Sequence, residues 1–341
     1  METVPPMSAS IRRLSHPHPL RRRWGEGLGL PRRRLLGLLA ASSTALALSA
    51  CDVWNLVGRP NDRSPGGSPL SIPALRARNF PPSEIRLHKV AARHDDYTSY
   101  VMSYNSDGLH ITGMATIPAG RGPFPVVLLN HGYVLPSQYA TGVGTRVMAD
   151  ALARRDVVTL ATDYRGLGGS QDDSRLNIGA RLEFVIDVLN LASAAREFPE
   201  AQPGRIGIWG HSLGGELAIR AGVVDPWIGP IALWAPLSVW LDDISDYYRV
   251  PTSSSSDQLR AALSAGNYLE GLTGPVDIHQ GGNDLAVNPA WASKLRLALG
   301  EAGVASNLYL YPGVGHLLNA SAQTVVRNSA EFLRRNLPTT R

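Results

Sequence analysis

One stretch constrains this chain more than any other: a short apolar strand that runs into a glycine-rich turn and then directly into a helix. Arg205-Ile-Gly-Ile-Trp-Gly-His-Ser-Leu-Gly-Gly-Glu216 opens with the apolar residues Ile206 to Trp209 and continues into the helix formers of Glu216-Leu-Ala-Ile-Arg-Ala221. A strand that leads straight into a helix belongs in a parallel sheet with helical crossovers. Between the two lies Gly210-His211-Ser212-Leu213-Gly214, a G-x-S-x-G turn. In such a turn the central residue is forced into a strained backbone conformation, so the Ser212 hydroxyl projects from the bend. Gly210 and Gly214 leave room where a side chain would strike the neighbouring strand or helix. The free N–H of Leu213, at the helix start, favours developing negative charge at the same point. An ordinary glycine-rich turn shares the pattern, but the apolar strand, the extra Gly215 and the helix favour a nucleophile elbow.

The remainder repeats the alternation. Residues 85–91 and 97–104 read as strands, Asn105-Ser-Asp-Gly108 reverses the chain, and 110–117 returns beside them as an antiparallel lead-in. The continuous apolar run at 124–130 suits a strand buried on both faces, 157–163 reads as another buried strand, 228–234 and 276–280 as further strands, and 308–311 as the last. Helical spacing covers 137–153, 180–198, 289–300 and 322–337. The expected fold is α/β, a mostly parallel sheet with antiparallel N-terminal strands and helices on both faces. Residues 237–272 break the alternation. With Trp240, Asp242, Asp243, Tyr247 and Tyr248 they read either as a small cap over the carboxyl ends of the strands or as a surface insert.

A serine hydroxyl needs a base to take its proton and a third group to hold that base. His316 ends Tyr311-Pro-Gly-Val-Gly-His316, a flexible loop after the last strand, and is the best base. Asp284 closes His279-Gln-Gly-Gly-Asn-Asp284, again a loop after a strand, and is the best orienter. Among the competitors, Asp277 lies within a strand and reads as facing solvent or marking an edge. His211 reads as pointing away from the serine, and His279 as structural. Asn130-His131-Gly132-Tyr133 follows the first buried run and would offer a second oxyanion donor, the Tyr133 N–H, beside that of Leu213. No cluster has metal-ligand spacing and no phosphate loop or G-x-G-x-x-G occurs, so neither a metal nor a cofactor is expected.

The formal charge of +5 would suggest a nucleic-acid partner, but residues 1–50 carry eight arginines against two glutamates, +6, which leaves −1 for the rest. No nucleic-acid partner is expected. The arginines lead into an uncharged apolar stretch, 35–50, too short for a membrane span and suited to a signal-peptide core. It ends in Leu48-Ser49-Ala50-Cys51, which resembles a bacterial lipobox and holds the single cysteine of the chain. Pro31-Arg-Arg-Arg-Leu-Leu36 loosely resembles a twin-arginine signal. A plain secretory signal and an uncleaved anchor helix fit the same segment. Residues 51–84, rich in Pro, Gly, Ser and Arg, read as a disordered tether.

Five pieces run in order over about 110–335: Asn130-His-Gly-Tyr133, Asp163-Tyr-Arg-Gly-Leu-Gly-Gly-Ser170, Gly210-His-Ser-Leu-Gly-Gly215, Gln280-Gly-Gly-Asn-Asp284 and Gly315-His316. On them the chain resembles the α/β-hydrolase superfamily, within it the branch of prolyl-oligopeptidase catalytic domains and dienelactone-hydrolase-like esterases. The resemblance implies an α/β-hydrolase fold over 85–338 with a cap insertion at 237–272, and the triad order Ser212, Asp284, His316. The chain departs from the oligopeptidases in having only 85–118 ahead of the pattern where they carry a propeller. It departs from dienelactone hydrolases in having Ser212 where they have cysteine.

These readings converge on an exported serine hydrolase of the bacterial cell envelope, anchored to the membrane through a lipid on Cys51 or else secreted. The expected substrate is a small or medium carboxylic ester, with an amide or short peptide as the alternative. A non-catalytic lipoprotein that uses the scaffold for binding is the rival of another class.

Overall fold

The computed structural model describes residues 67–172, 178–248 and 256–337, all within the contact unit Ala40–Arg341. The signal peptide expected over 1–50, the lipidation of Cys51 and residues 51–66 of the expected tether lie outside the described residues.

Nine strands form one sheet in the order β1-β2-β3-β5-β4-β6-β7-β8-β9. They are β1 (Arg86–Arg93), β2 (Tyr97–Ser106), β3 (Leu109–Pro118), β4 (Val126–Asn130), β5 (Val158–Thr162), β6 (Ile206–His211), β7 (Ile228–Trp234), β8 (Val276–Gly281) and β9 (Ser306–Tyr311). The first three are antiparallel, and β3 also runs antiparallel to β5. Their hairpin turns on Asp107 and Gly108, both at positive φ (54° and 83°), the backbone that a right-twisted two-residue turn demands. From β5 across to β9 every pairing is parallel. The α-helices among the described residues are α1 (Ile72–Ala77), α2 (Arg146–Ala153), α3 (Phe184–Arg196), α4 (Leu213–Val224), α5 (Leu241–Tyr248), α6 (Asp257–Leu263), α7 (Ala290–Glu301) and α8 (Ala322–Asn336).

All five residues of β4 are buried, and the pleat divides them between two cores. Val126 and Leu128 join the cluster that contains the apolar faces of α1, α3, α4 and α7. Val127 and Leu129 join the one built with α2 and α8. Helices therefore cover both faces, as the unbroken apolar runs require. Trp209 of β6 meets Trp234 of β7 edge-on at 5.0 Å, and Trp234 Nε1 donates to Ser329 Oγ of α8 at 2.8 Å, which ties the two strands to a helix.

Two expectations are corrected. The disordered tether of 51–84 contains α1, capped by Ser71, whose Oγ accepts from Ala74 N, with Ile72 and Leu75 fully buried in the core. A six-residue helix has too little propensity of its own to be read from sequence; packing makes it. The helix expected over 137–153 forms only from Arg146, because Gly142 and Gly144 take φ of 81° and 84°, outside any right-handed helix.

A buried ion pair locks the entry of α3 to the lead-in strands. Asp187, fully buried, accepts from Arg165 Nη2 at 2.8 Å, Arg165 Nε at 3.1 Å, Arg165 N at 2.9 Å and Ser106 Oγ at 2.7 Å.

Candidate active site

Ser212 stands between β6 and α4 at φ 55°, ψ −119°, the strained bend expected of the elbow. The glycines around it are required by contact. A Cβ on Gly210 would enter the Gly214 carbonyl, and one on Gly214 would enter the backbone of Asn130. The start of α4 can thus pass against the end of β4. Leu213 is the first helical residue, so its N–H has no acceptor within the helix.

The loop after β4 crosses directly over the serine. A Cβ on Gly132 would lie 3.1 Å from both Ser212 Cβ and His211 Nδ1, so Tyr133 follows at the mouth of the site. His131 shapes this loop. Its ring sits between Tyr139 and Tyr164 with centroids 4.7 and 4.5 Å away, and its Nδ1–H donates to Gly132 O at 2.6 Å. Burial holds its pKa below the ordinary histidine value. The loop is braced from below by Asp163, whose carboxylate accepts from Thr112 Oγ1, Tyr139 OH and Thr141 Oγ1, each at 2.7 Å. Arg181 lays its guanidinium 3.9 Å above the Tyr133 ring.

Asp284 and His316 meet as expected, with His316 Nδ1–H donating to Asp284 Oδ2 at 2.8 Å. Asp284 Oδ2 also accepts from Gln280 Nε2 at 3.0 Å, and Oδ1 from Ala286 N and Val287 N, both at 2.9 Å. Burial alone would raise this carboxyl; the His316 bond and charge and the two amides outweigh it and hold the pKa below the usual value. With Nδ1 engaged, Nε2 is the imidazole nitrogen left to take a proton. Among the described residues no hydrogen bond joins Ser212 Oγ to His316. Such bonds commonly tighten only in the substrate complex. The elbow reaches His316 through its neighbour: the His211 ring packs on the His316 ring at 4.8 Å.

The first end of the 237–272 insertion touches this site. Tyr248, at the end of α5, donates its OH to Ala286 O at 2.7 Å, two residues beyond Asp284. Burial, then Tyr247 and Asp284, raise the Tyr248 phenol pKa, and the charge of Arg181 opposes them. Large apolar side chains are exposed around the pair: Leu285 at 87%, Leu317 at 53% and Tyr247 at 41%.

The competitors separate cleanly. His279 is buried, bonded through Nδ1 to Tyr311 OH at 2.8 Å and stacked on Tyr309 at 4.8 Å. Asp277, expected at solvent or an edge, is instead only 2% exposed, accepts from Asn307 Nδ2 at 2.8 Å, and has its pKa raised by burial. The sheet extends past it to β9, which removes it from the edge. His211, next to the serine, packs on His316. The sequence reading missed Arg181 and Asp187; a lone carboxylate inside the apolar run Phe184-Val-Ile-Asp-Val-Leu189 was the available signal for the latter.

Burial lowers the His279 pKa from 6.5 to about 4. The unfolded chain takes this proton near pH 6.5 while the folded state refuses it down to about 4, so stability is lost as pH falls through that interval. The expected loss from this residue is about 3 kcal/mol, at 1.36 kcal/mol per pKa unit. Urea unfolding at pH 7 and pH 4 checks it, and His279→Gln should flatten that part of the pH dependence.

The family model that matches is the prolyl oligopeptidase family, over residues 145–339. Esterase FrsA of Yersinia enterocolitica is 27% identical over 182 residues, 52% of this chain and 39% of that protein. An uncharacterized 31.7 kDa protein of Escherichia coli is 32% identical over 121 residues, 35% of this chain and 39% of its own length. The chain thus spans about two fifths of these relatives. Among solved structures, acetyl xylan esterase 1 from Thermoanaerobacterium superposes with TM-score 0.57 at 18% identity, covering 81% of this chain and 97% of that one. The acylaminoacyl peptidase of Pyrococcus horikoshii gives 0.60 at 17% identity, covering 73% and 43%. These likenesses carry the fold: it is that of the α/β-hydrolases, as the sequence motifs implied.

Proposed function

Since the chain belongs to the prolyl oligopeptidase family, we propose that it is a serine hydrolase that cleaves carboxylic esters through an acyl-enzyme. Ser212 Oγ attacks the carbonyl carbon, and His316 Nε2 takes its proton. Asp284 holds the imidazole in the tautomer that leaves Nε2 free. The N–H groups of Leu213 and Tyr133 receive the negative charge of the tetrahedral intermediate. As that intermediate collapses, His316 returns the proton to the leaving alcohol, and water then repeats the sequence on the acyl-enzyme. The observation that carries this reading is the His316–Asp284 hydrogen bond, packed through His211 against a serine held at positive φ.

Leu285, Leu317 and Tyr247 favour an apolar acyl or alcohol group beyond acetyl, because exposed apolar side chains gathered at a site mark its ligand. Amide or short-peptide cleavage is the second reading, favoured by the family match. The same reading places the mature protein in a bacterial envelope, lipid-anchored at Cys51, supported by the position of the only cysteine at the end of the apolar leader.

One experiment in a bacterial host tests both halves. Wild type is expected to react with a fluorophosphonate probe and to enter the detergent phase on Triton X-114 partition. Ser212→Ala should lose the label and keep the partition; Cys51→Ala should do the reverse. An unlabelled wild type overturns the catalytic reading, and an aqueous wild type overturns the anchor. p-Nitrophenyl esters of increasing acyl length, set against peptide anilides, decide the substrate class.

A further inference from the structure

His211 is the last residue of β6 and the immediate neighbour of Ser212, and it touches both loops that flank the serine. Its Nε2 lies 3.1 Å from the His316 carbonyl oxygen. A carbonyl only accepts, so this nitrogen carries the proton and Nδ1 is bare. On its other side Nδ1 faces the Gly132 backbone, where an added Cβ would come within 3.1 Å. The ring therefore fills the space between the 130–133 loop, which offers the oxyanion donor, and the loop that carries His316.

Asn283 N–H donates to Val314 O at 2.9 Å and Leu318 N–H to Gly315 O at 3.1 Å, which ties that second loop on either side of His316, but neither bond reaches the His316 carbonyl. Tyr311-Pro-Gly-Val-Gly-His316 contains two glycines, and Gly313 takes φ 74°. Asp284 grips only the imidazole of His316, and rotation of the backbone behind a gripped ring still moves Nε2. We infer that His211 is a positioning residue: by donating Nε2–H to the His316 carbonyl it fixes the backbone of the base, so that Asp284 and His211 together set where Nε2 stands over Ser212. This rests on the reading of Ser212 and His316 as nucleophile and base.

His211 donates from Nε2 in its neutral form, and its surroundings keep it neutral. The charged and titratable groups acting on it are His316, Asp284 and His131. Burial first, then a charge on His316, oppose its protonation and push its pKa down to about 3; Asp284 favours protonation and His131 opposes it. A donor that never titrates in the working range serves the base at every pH.

The test compares His211→Phe, which keeps a ring and loses the donor, with His211→Gln, which keeps a donor. His211→Phe is expected to lower kcat by at least about tenfold with KM within about twofold, since a displacement near 1 Å can cost up to about 10²-fold. His211→Gln should recover most of that loss. In wild type, nitrogen NMR should show His211 as the Nε2–H tautomer with no titration between about pH 5 and 8. Equal kcat in the two variants, whether near wild type or equally impaired, overturns the inference, as does a neutral His211 whose proton is on Nδ1 and not on Nε2. Loss of the inference is distinguishable from loss of the catalytic reading, because in the latter case Ser212→Ala retains turnover while the tautomer result is unaffected.

Discussion

Ester turnover is expected to fall by about 10⁶-fold in Ser212→Ala and by about 10⁴-fold in Asp284→Asn, with KM changed little in either. The first removes the atom that the proposed mechanism uses to attack. The second is more informative, because all four partners of Asp284 are donors: His316 Nδ1, Gln280 Nε2, Ala286 N and Val287 N. An asparagine has one oxygen for them and must turn its NH₂ toward a pair of donors. Placed at Oδ1, the NH₂ meets the two backbone amides. Placed at Oδ2, it meets Gln280 and pushes the His316 proton from Nδ1 to Nε2, which leaves Nε2 no longer a base. The expected signature is a kcat loss in a protein that melts near wild type and reacts slowly with the fluorophosphonate probe. Turnover within about tenfold of wild type in Asp284→Asn would sink the assignment of its role.

Asp187→Ala is expected to destabilise the fold by about 3–5 kcal/mol in urea unfolding, because it takes from the buried Arg165 guanidinium its hydrogen-bonded carboxylate and leaves it Glu183 at 3.9 Å. Arg165 is 4% exposed, and its side chain and backbone N both donate to this carboxylate. Asp187 also bonds Ser106 beside the lead-in hairpin, so its loss loosens the contact of α3 with the strands. The double replacement Arg165→Met with Asp187→Leu should recover a large part of the stability, since the cost lies in the unpaired charge rather than in the absence of a pair. If the single and double variants are equally unstable, packing around the pair rather than its charge accounts for the loss.

The parts of this molecule that were legible in the sequence share a physical cause. β7 was read with the bounds it has, Ile228–Trp234, because a strand buried on both faces leaves an unbroken apolar run. Asp284 and His316 were legible because each ends a glycine-rich loop after a strand, where side chains can converge. What was missed depends on tertiary contact. The helical spacing before Arg146 is real as a pattern, but two left-handed glycines override it. The α1 helix exists through the burial of Ile72 and Leu75 rather than through propensity. The contact of His211 with His316 depends on a loop that starts 100 residues later, which no local rule encodes.

The division of the apolar interior into two clusters has a consequence for how such a protein can change. The lower storey, packed by α2 and α8, and the upper one, packed by α3 and α4, lie on opposite faces of one hydrogen-bonded floor. Volume gained or lost in one storey is felt first by the side chains of that storey, since a close-packed interior has few voids to take it up. Side chains next to each other in β4, such as Leu128 and Leu129, therefore answer to different neighbours. The storey under α2 and α8 holds Trp209, three residues before Ser212, and Val314 and Leu318 on either side of His316, so a change of volume there is expected to reach the site.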